Sequence, residues 1–143
     1  MKSITIGVIG AGLIGRKHLR KLAEREDYML VGIADVNVAQ VSAEHPTTRV
    51  FADYRQLLDE ARPEAVIIAS PNQLHAETGI ECARRGIHIL IEKPVTDAFE
   101  TAATLMAEVR KGGIKSLVGH HRRHHLAVKT LKALLRDGRV GDD

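Results

Sequence analysis

Short, unbroken apolar runs alternate along this chain with longer stretches in which apolar residues recur every three or four positions. Residues 4–9 (ITIGVI), 28–34 (YMLVGIA), 65–69 (AVIIA), 87–91 (IHILI) and 116–119 (SLVG) are of the first kind, with a brief one at 49–51. Runs with no polar alternation predict strands buried on both faces. Helical spacing fills the gaps. Ile14, Leu19, Leu22 and Ala23 form the first stripe, and residues 38–44 make a short helix ended by Pro46. Residues 54–60 place Leu57 and Leu58 inward behind Asp53 as N-cap. Residues 75–85 carry Ala76, Ile80 and Ala83 on one face, with Gly86 just past the end. Asp97 is expected to cap a longer helix to residue 111, with Phe99, Ala102, Ala103, Met106 and Val109 inward and Gly112 and Gly113 ending it. A last helix covers 126–136 with Val128, Leu131, Leu134 and Leu135 apolar, and Gly138 ends it. Strands that alternate with helices throughout predict a doubly wound α/β fold: a parallel sheet between two helix layers. No repeat, low-complexity tract or linker divides it, so residues 1–143 read as one domain.

Right-handed crossovers put every strand's carboxyl end on one edge of such a sheet, where ligands bind. At that edge the first strand runs into Gly10, Gly12 and Gly15 at G-x-G-x-x-G spacing, and a helix begins inside the motif. Strand, glycine turn and helix are the order a dinucleotide site requires. Gly10 permits the tight turn, Gly12 lacks a Cβ that would block a pyrophosphate, and Gly15 lets helix and strand approach. The helix start, with Leu13 and Ile14, offers free N–H groups and a positive dipole end. Asp35 stands twenty positions after Gly15, at the end of the second apolar run. A carboxylate there accepts from both ribose hydroxyls of NAD and repels the 2′-phosphate of NADP. The plain alternative is a tight turn and a helix-capping aspartate with no ligand.

Composition narrows the picture. Aromatics are 3% of residues, so the core is aliphatic. The single cysteine, Cys82, excludes a disulfide within the chain, reads as a small buried thiol, and fits a reducing cytoplasmic setting. The first ten residues lead straight into a strand without a basic leader and cleavage site, so no signal peptide is expected. No apolar run approaches the roughly 20 residues of a membrane span. Charge is uneven: between residues 110 and 139 nine Lys or Arg stand against Asp137 alone. Such a patch faces an anionic ligand or nucleic acid, or is a solvated helix face. It lacks a recognition motif and interleaved aromatics, and no nucleic-acid partner is assigned.

Three loops at the binding edge carry candidate chemistry. Lys93 follows a buried strand and precedes Pro94, which restricts Lys93 to an extended conformation. A partly buried lysine there hydrogen-bonds a substrate hydroxyl and assists proton transfer; otherwise it is a surface lysine at a strand end. Ser70, Pro71, Asn72 and His75 follow the fourth strand. Asn72 can offer its amide to a cofactor ribose or carboxamide, and His75 either faces the cleft or sits in the first turn of its helix. His120, His121, His124 and His125 sit in a strand-to-helix turn with no acid or cysteine nearby, so no metal is assigned. His18, one turn into the first helix, either packs under the glycine loop or points to solvent.

GVIGAGLIGRKH, Asp35, FADYRQLL (51–58), ASPNQLH (69–75), GIHILIEKPVT (86–96) and SLVGHHRRHH (116–125) together resemble the Gfo/Idh/MocA oxidoreductases, over essentially the whole chain. The Glu-Lys-Pro after strand five is specific to that family. The resemblance implies a Rossmann fold and NAD(P)-dependent hydride transfer at a sugar, cyclitol or related hydroxyl carbon. By matched position it implies Gly10, Gly12 and Gly15 at the pyrophosphate and Asp35 at the adenosine ribose. Ser70, Asn72 and His75 match the loop near the nicotinamide half. Glu92 matches a cofactor contact, Lys93 the catalytic lysine, and Arg123 the segment below the nicotinamide. Family members continue into a second α/β domain. It supplies substrate contacts, an Asp-x-x-x-His pair and usually the oligomer interface. Here the sequence stops at GRVGDD and no such pair follows Lys93.

The expectation is therefore the NAD-binding half of such an enzyme, with NADP second, weakly active or inactive by itself. The alternative is a stand-alone NAD-binding module that regulates through a partner or through self-association. An apolar surface around Val118, Leu126, Val128 and Leu131 is expected, and with it a homo-oligomer.

Overall fold

The computed structural model describes residues 3–139; residues 140–143, the end of the GRVGDD stretch, lie outside it, as do Met1 and Lys2 at the head of the segment read for a signal peptide. Six strands make one parallel sheet: β1 (Ile4–Ile9), β2 (Tyr28–Ala34), β3 (Val50–Phe51), β4 (Ala65–Ile68), β5 (His88–Ile91) and β6 (Ser116–Val118). Their spatial order is β3-β2-β1-β4-β5-β6. The order reverses between β1 and β4, and that reversal opens a crevice at their carboxyl ends.

The connecting helices are α1 (Leu13–Ala23), α2 (Val38–Glu44), α3 (Tyr54–Glu60), α4 (His75–Arg84) and α5 (Phe99–Gly112), and α6 (Leu126–Arg136) follows β6. Sequence periodicity locates each within a few residues. Asp53 caps α3 by accepting from the Arg55 N–H at 2.8 Å. Gly86 and Gly113 take the left-handed conformation that closes α4 and α5, at φ +73° and +62°.

The expected cap and part of the expected inward stripe fail in α5, where Ala103 and Met106 are exposed. Asp97 does not cap it. The N-cap is Ala98, and the Thr96 hydroxyl organises the turn by accepting from the Ala98 N–H at 2.9 Å. Nor does Phe99 point inward: it is 84% exposed, and Leu105 is the buried residue. The sequence offers two adjoining apolar lines, and periodicity sets their spacing without choosing between them. Gly79 of α4 makes the choice, because a Cβ there would sit 2.9 Å from Leu105 Cδ1. The gap left by the glycine receives that leucine.

The core lies on both sheet faces. On one, Ile9, Val66, Ile68 and Ile91 meet Leu57, Cys82 and Leu105; on the other, Val8, Ile33 and Ile67 meet Leu19 and Val41. Cys82 is fully buried, and burial pushes its thiol up to about 12. The α1 side of the sheet keeps an open apolar trough of about 560 Å³, lined by Ile4, Ile6, Leu22, Tyr28, Ile67 and Leu117 among others. Helix α6 packs on the turn before it, and Leu126, Val128, Leu131 and Leu135 are exposed. No helix among the described residues is long and apolar enough to cross a membrane.

Candidate functional site

The glycine loop is locked to the sheet by its own backbone. Gly10 donates to the Ala34 carbonyl at 2.8 Å and sits at φ +92°. A Cβ on it would lie 2.6 Å from the Ala69 carbonyl and the Ser70 nitrogen. Only glycine brings the end of β1 this close to the end of β4. Gly15 is tighter still: its Cβ would fall 1.9 Å from the Gly10 oxygen. Gly12 differs, because a Cβ there would meet no atom of the described residues within 4 Å. Nothing among the described residues uses the space above Gly12.

Helix α1 begins at that open space. Gly12 is its N-cap, no side chain caps it, and the N–H groups of Leu13 and Ile14 find no protein acceptor among the described residues. Unsatisfied N–H groups at a helix start favour an anion. Beside them, Asp35 Oδ2 accepts from the Ala11 N–H at 2.7 Å, and Oδ1 accepts from the Asn37 N–H at 2.9 Å. The two bonds aim the carboxylate along the loop and leave it acceptor capacity.

Across the crevice lies a second cleft of about 280 Å³. Ile14 and Lys17 of α1, Ser70 and Asn72 after β4, and Glu92 and Lys93 after β5 line it, with His75, His121 and Arg122 completing the wall. The Ser70 hydroxyl is buried there with no partner among the described residues, an orphan donor of the kind a bound polar ligand satisfies. Free helix N–H groups, open space at Gly12 and an orphaned hydroxyl along one crevice suit a dinucleotide.

The Lys93 turn is held on both flanks. Glu92, 7% exposed, bonds His18 of α1, with Nε2 2.8 Å from Oε1. The Lys93–Pro94 peptide is cis. His75, 1% exposed, has Nδ1 2.7 Å from the Pro94 oxygen and Nε2 2.8 Å from the Ser70 oxygen. Carbonyls only accept, so the ring serves both when both nitrogens carry a proton. Lys93 itself is exposed, not partly buried, and its side chain lines the cleft.

Most of the residues read from the sequence thus gather at one edge. His75 is at the cleft wall, but both ring nitrogens are engaged with backbone, so it has none left for a cofactor. The cleft is lined by Arg122, not Arg123: residues 121–124 form a 3-10 turn, where successive side chains diverge by about a third of a turn. Leu13 is 75% exposed, and what it offers the site is its free N–H at the start of α1. Sequence reasoning missed Lys17 and Gly119 and left His18 open. Lys17 was readable as the residue three after Ile14 on the same helix face. Gly119 had no sequence signal. Among the described residues no three His, Cys, Asp or Glu side chains converge as a metal site.

Comparison with known proteins bears on the family and the fold. The model of an oxidoreductase family with an NAD-binding Rossmann fold, GFO/IDH/MocA, matches residues 4–120. An inositol 2-dehydrogenase of Rubrobacter xylanophilus is 37% identical over 145 residues, covering 96% of this chain and 41% of that protein. The uncharacterized oxidoreductase YrbE of Bacillus subtilis is 32% identical, covering 98% of this chain and 42% of YrbE. The crystal structure of scyllo-inositol dehydrogenase from Lactobacillus casei with bound NAD(H) and scyllo-inositol superposes with a TM-score of 0.89. It is 26% identical and covers 99% of this chain and 43% of that one. The chain therefore spans about two fifths of the length of the relatives it matches.

Proposed function

The chain belongs to the Gfo/Idh/MocA oxidoreductase family, and from that premise we propose that it is the cofactor-binding half of an enzyme that oxidises a carbinol carbon of a sugar, cyclitol or similar polyol, with NAD preferred over NADP. The observation that carries the reading is the uncapped start of α1 at Gly12, open to an anion, with the Asp35 carboxylate fixed beside it. When bound, the nicotinamide supplies a hydride acceptor.

The chain's own residues take the remaining parts. Gly10, Gly12 and Gly15 shape the loop, and the N–H groups of Leu13 and Ile14 hold the pyrophosphate. Asp35 accepts from the adenosine ribose. Ser70 and Asn72 orient the nicotinamide half, and Glu92 forms the cleft floor. Lys93 holds the substrate hydroxyl and assists loss of its proton as the carbon becomes a carbonyl. Arg122 and Lys17 add positive charge where the cofactor phosphates and the substrate enter. The proton acceptor and the substrate pocket complete in the part of such an enzyme that these residues do not supply.

Calorimetric titration of the 143-residue chain tests this. NAD is expected to bind, and NADP more weakly by about tenfold or more, since its 2′-phosphate meets the Asp35 carboxylate. Failure to bind either dinucleotide overturns the reading.

The exposed apolar stripe on α6 favours a second reading, a module that works through self-association. It predicts a dimer or larger by light scattering at high concentration. A clean monomer counts against it.

A further inference from the structure

Glu92 presents a carboxylate that is almost out of solvent at the end of β5. The space around it is taken: a Cβ on Gly119 would sit 2.6–2.8 Å from three of the carboxylate atoms. One side chain among the described residues bonds it, His18, at 2.8 Å. The Lys93 N–H approaches the other oxygen at 3.4 Å, too far to hold it firmly. A buried carboxylate without a donor is strongly disfavoured, so His18 decides where the Glu92 side chain rests.

His18 sits on α1, one turn beyond the glycine loop. The Glu92 bond is the only side-chain hydrogen bond among the described residues that ties α1 to the Lys93 turn. The opposite flank of that turn is tied to α4 through His75 and the Pro94 oxygen. Lys93 therefore hangs between two imidazoles, one from each face of the sheet. The α1 side matters more for a ligand spanning the crevice. That helix carries the free N–H groups at one end of the site, and Glu92 and Lys93 stand at the other.

We propose that His18 is a positioning residue: through Glu92 it sets the Lys93 turn in register with the glycine loop, so that one ligand meets both. The cofactor arm of its test rests on the reading above; the structural arm does not. Two variants separate the bond from the ring. H18L removes the donor. H18Q keeps an N–H that reaches Glu92 and removes the imidazole. In amide NMR spectra of the ligand-free chain, H18L is expected to shift the Lys93 resonance, while H18Q leaves it near its original position. In NAD titrations, H18L is expected to lose about tenfold or more in affinity, and H18Q to stay within about threefold of the parent.

Thermal melts check that each variant folds, and H18A replaces H18L should the larger apolar side chain prevent folding. If H18L leaves both the Lys93 amide and the NAD affinity unchanged, the proposal is overturned. It is also overturned if H18Q is as damaging as H18L, because ring packing would then be the cause. If the parent chain does not bind NAD, the cofactor reading falls and the Lys93 amide still decides the positioning role.

Discussion

Gly15→Ala is expected to eliminate dinucleotide binding and to destabilise the chain by about 3 kcal/mol or more. The new methyl would fall 1.9 Å from the Gly10 oxygen and 2.9 Å from the Gly10 carbonyl carbon. Both are backbone atoms, and Gly10 is itself wedged against Ala69 and Ser70. Neither side can yield by a rotamer change. Either α1 lifts from the sheet, which separates its free N–H groups from Asp35, or the β1–β4 approach opens. Gly12→Ala is the control. Its methyl meets nothing within 4 Å, and the backbone there is extended at φ −69°. The cost to the fold should be about 1 kcal/mol or less, the size of a weakened N-cap. NAD affinity should still fall, because a dinucleotide is the thing that would meet that methyl. Denaturant unfolding and NAD titration of both variants check the pair. Equal destabilisation by the two would contradict the geometry described for the loop.

Asp35→Ala is expected to lower NAD affinity on the order of 10- to 100-fold while leaving NADP affinity much less changed, so that discrimination between the two shrinks or reverses. Two effects add. The carboxylate is the acceptor proposed for the adenosine ribose, and hydrogen bonds to a charged group are each worth about 1.5–3 kcal/mol. The same carboxylate takes the Ala11 N–H at 2.7 Å, so its loss leaves that donor unpaired and the loop loosened. The second effect weakens both dinucleotides; the first weakens NAD more, since NADP has only one of the two ribose hydroxyls, and relief of repulsion favours NADP. Parallel titrations separate them. A variant that keeps its NAD preference would show that Asp35 serves the loop alone.

The fold was legible because its determinants are local and redundant. Five apolar runs, glycines at helix ends and the G-x-G-x-x-G turn each specify the same alternation. The crossover rules then order the strands with little freedom. The family also followed from the residues, since Glu92-Lys93-Pro94 and the loop at 69–75 stand where the sheet edge requires them. What escaped was contact between distant segments. Nothing in the spacing of Phe99, Ala102 and Met106 says that Gly79 will draw Leu105 inward instead. Nothing near His18 says that its partner is 74 positions away. His75 shows the same limit from the other side. Its place in the loop suggested a ligand contact, but the carbonyls of Ser70 and Pro94 occupy its ring, and only the folded chain brings those two together. Arg123 came from matched position alone, and only the folded turn at 121–124 shows that Arg122 lines the cleft.

The buried thiol of Cys82 gives the chain a clock. The thiolate is the form that reacts with alkylating reagents, and burial keeps this sulfur protonated and shielded. Modification must wait until α4 leaves the sheet. With one cysteine in the sequence there is one signal to follow, so the rate of mass gain under a fast reagent counts openings of the core directly. Any molecule that binds the closed form alone slows that clock by the factor 1 + [L]/Kd. Binding can thus be timed without an enzyme assay and without knowing the substrate.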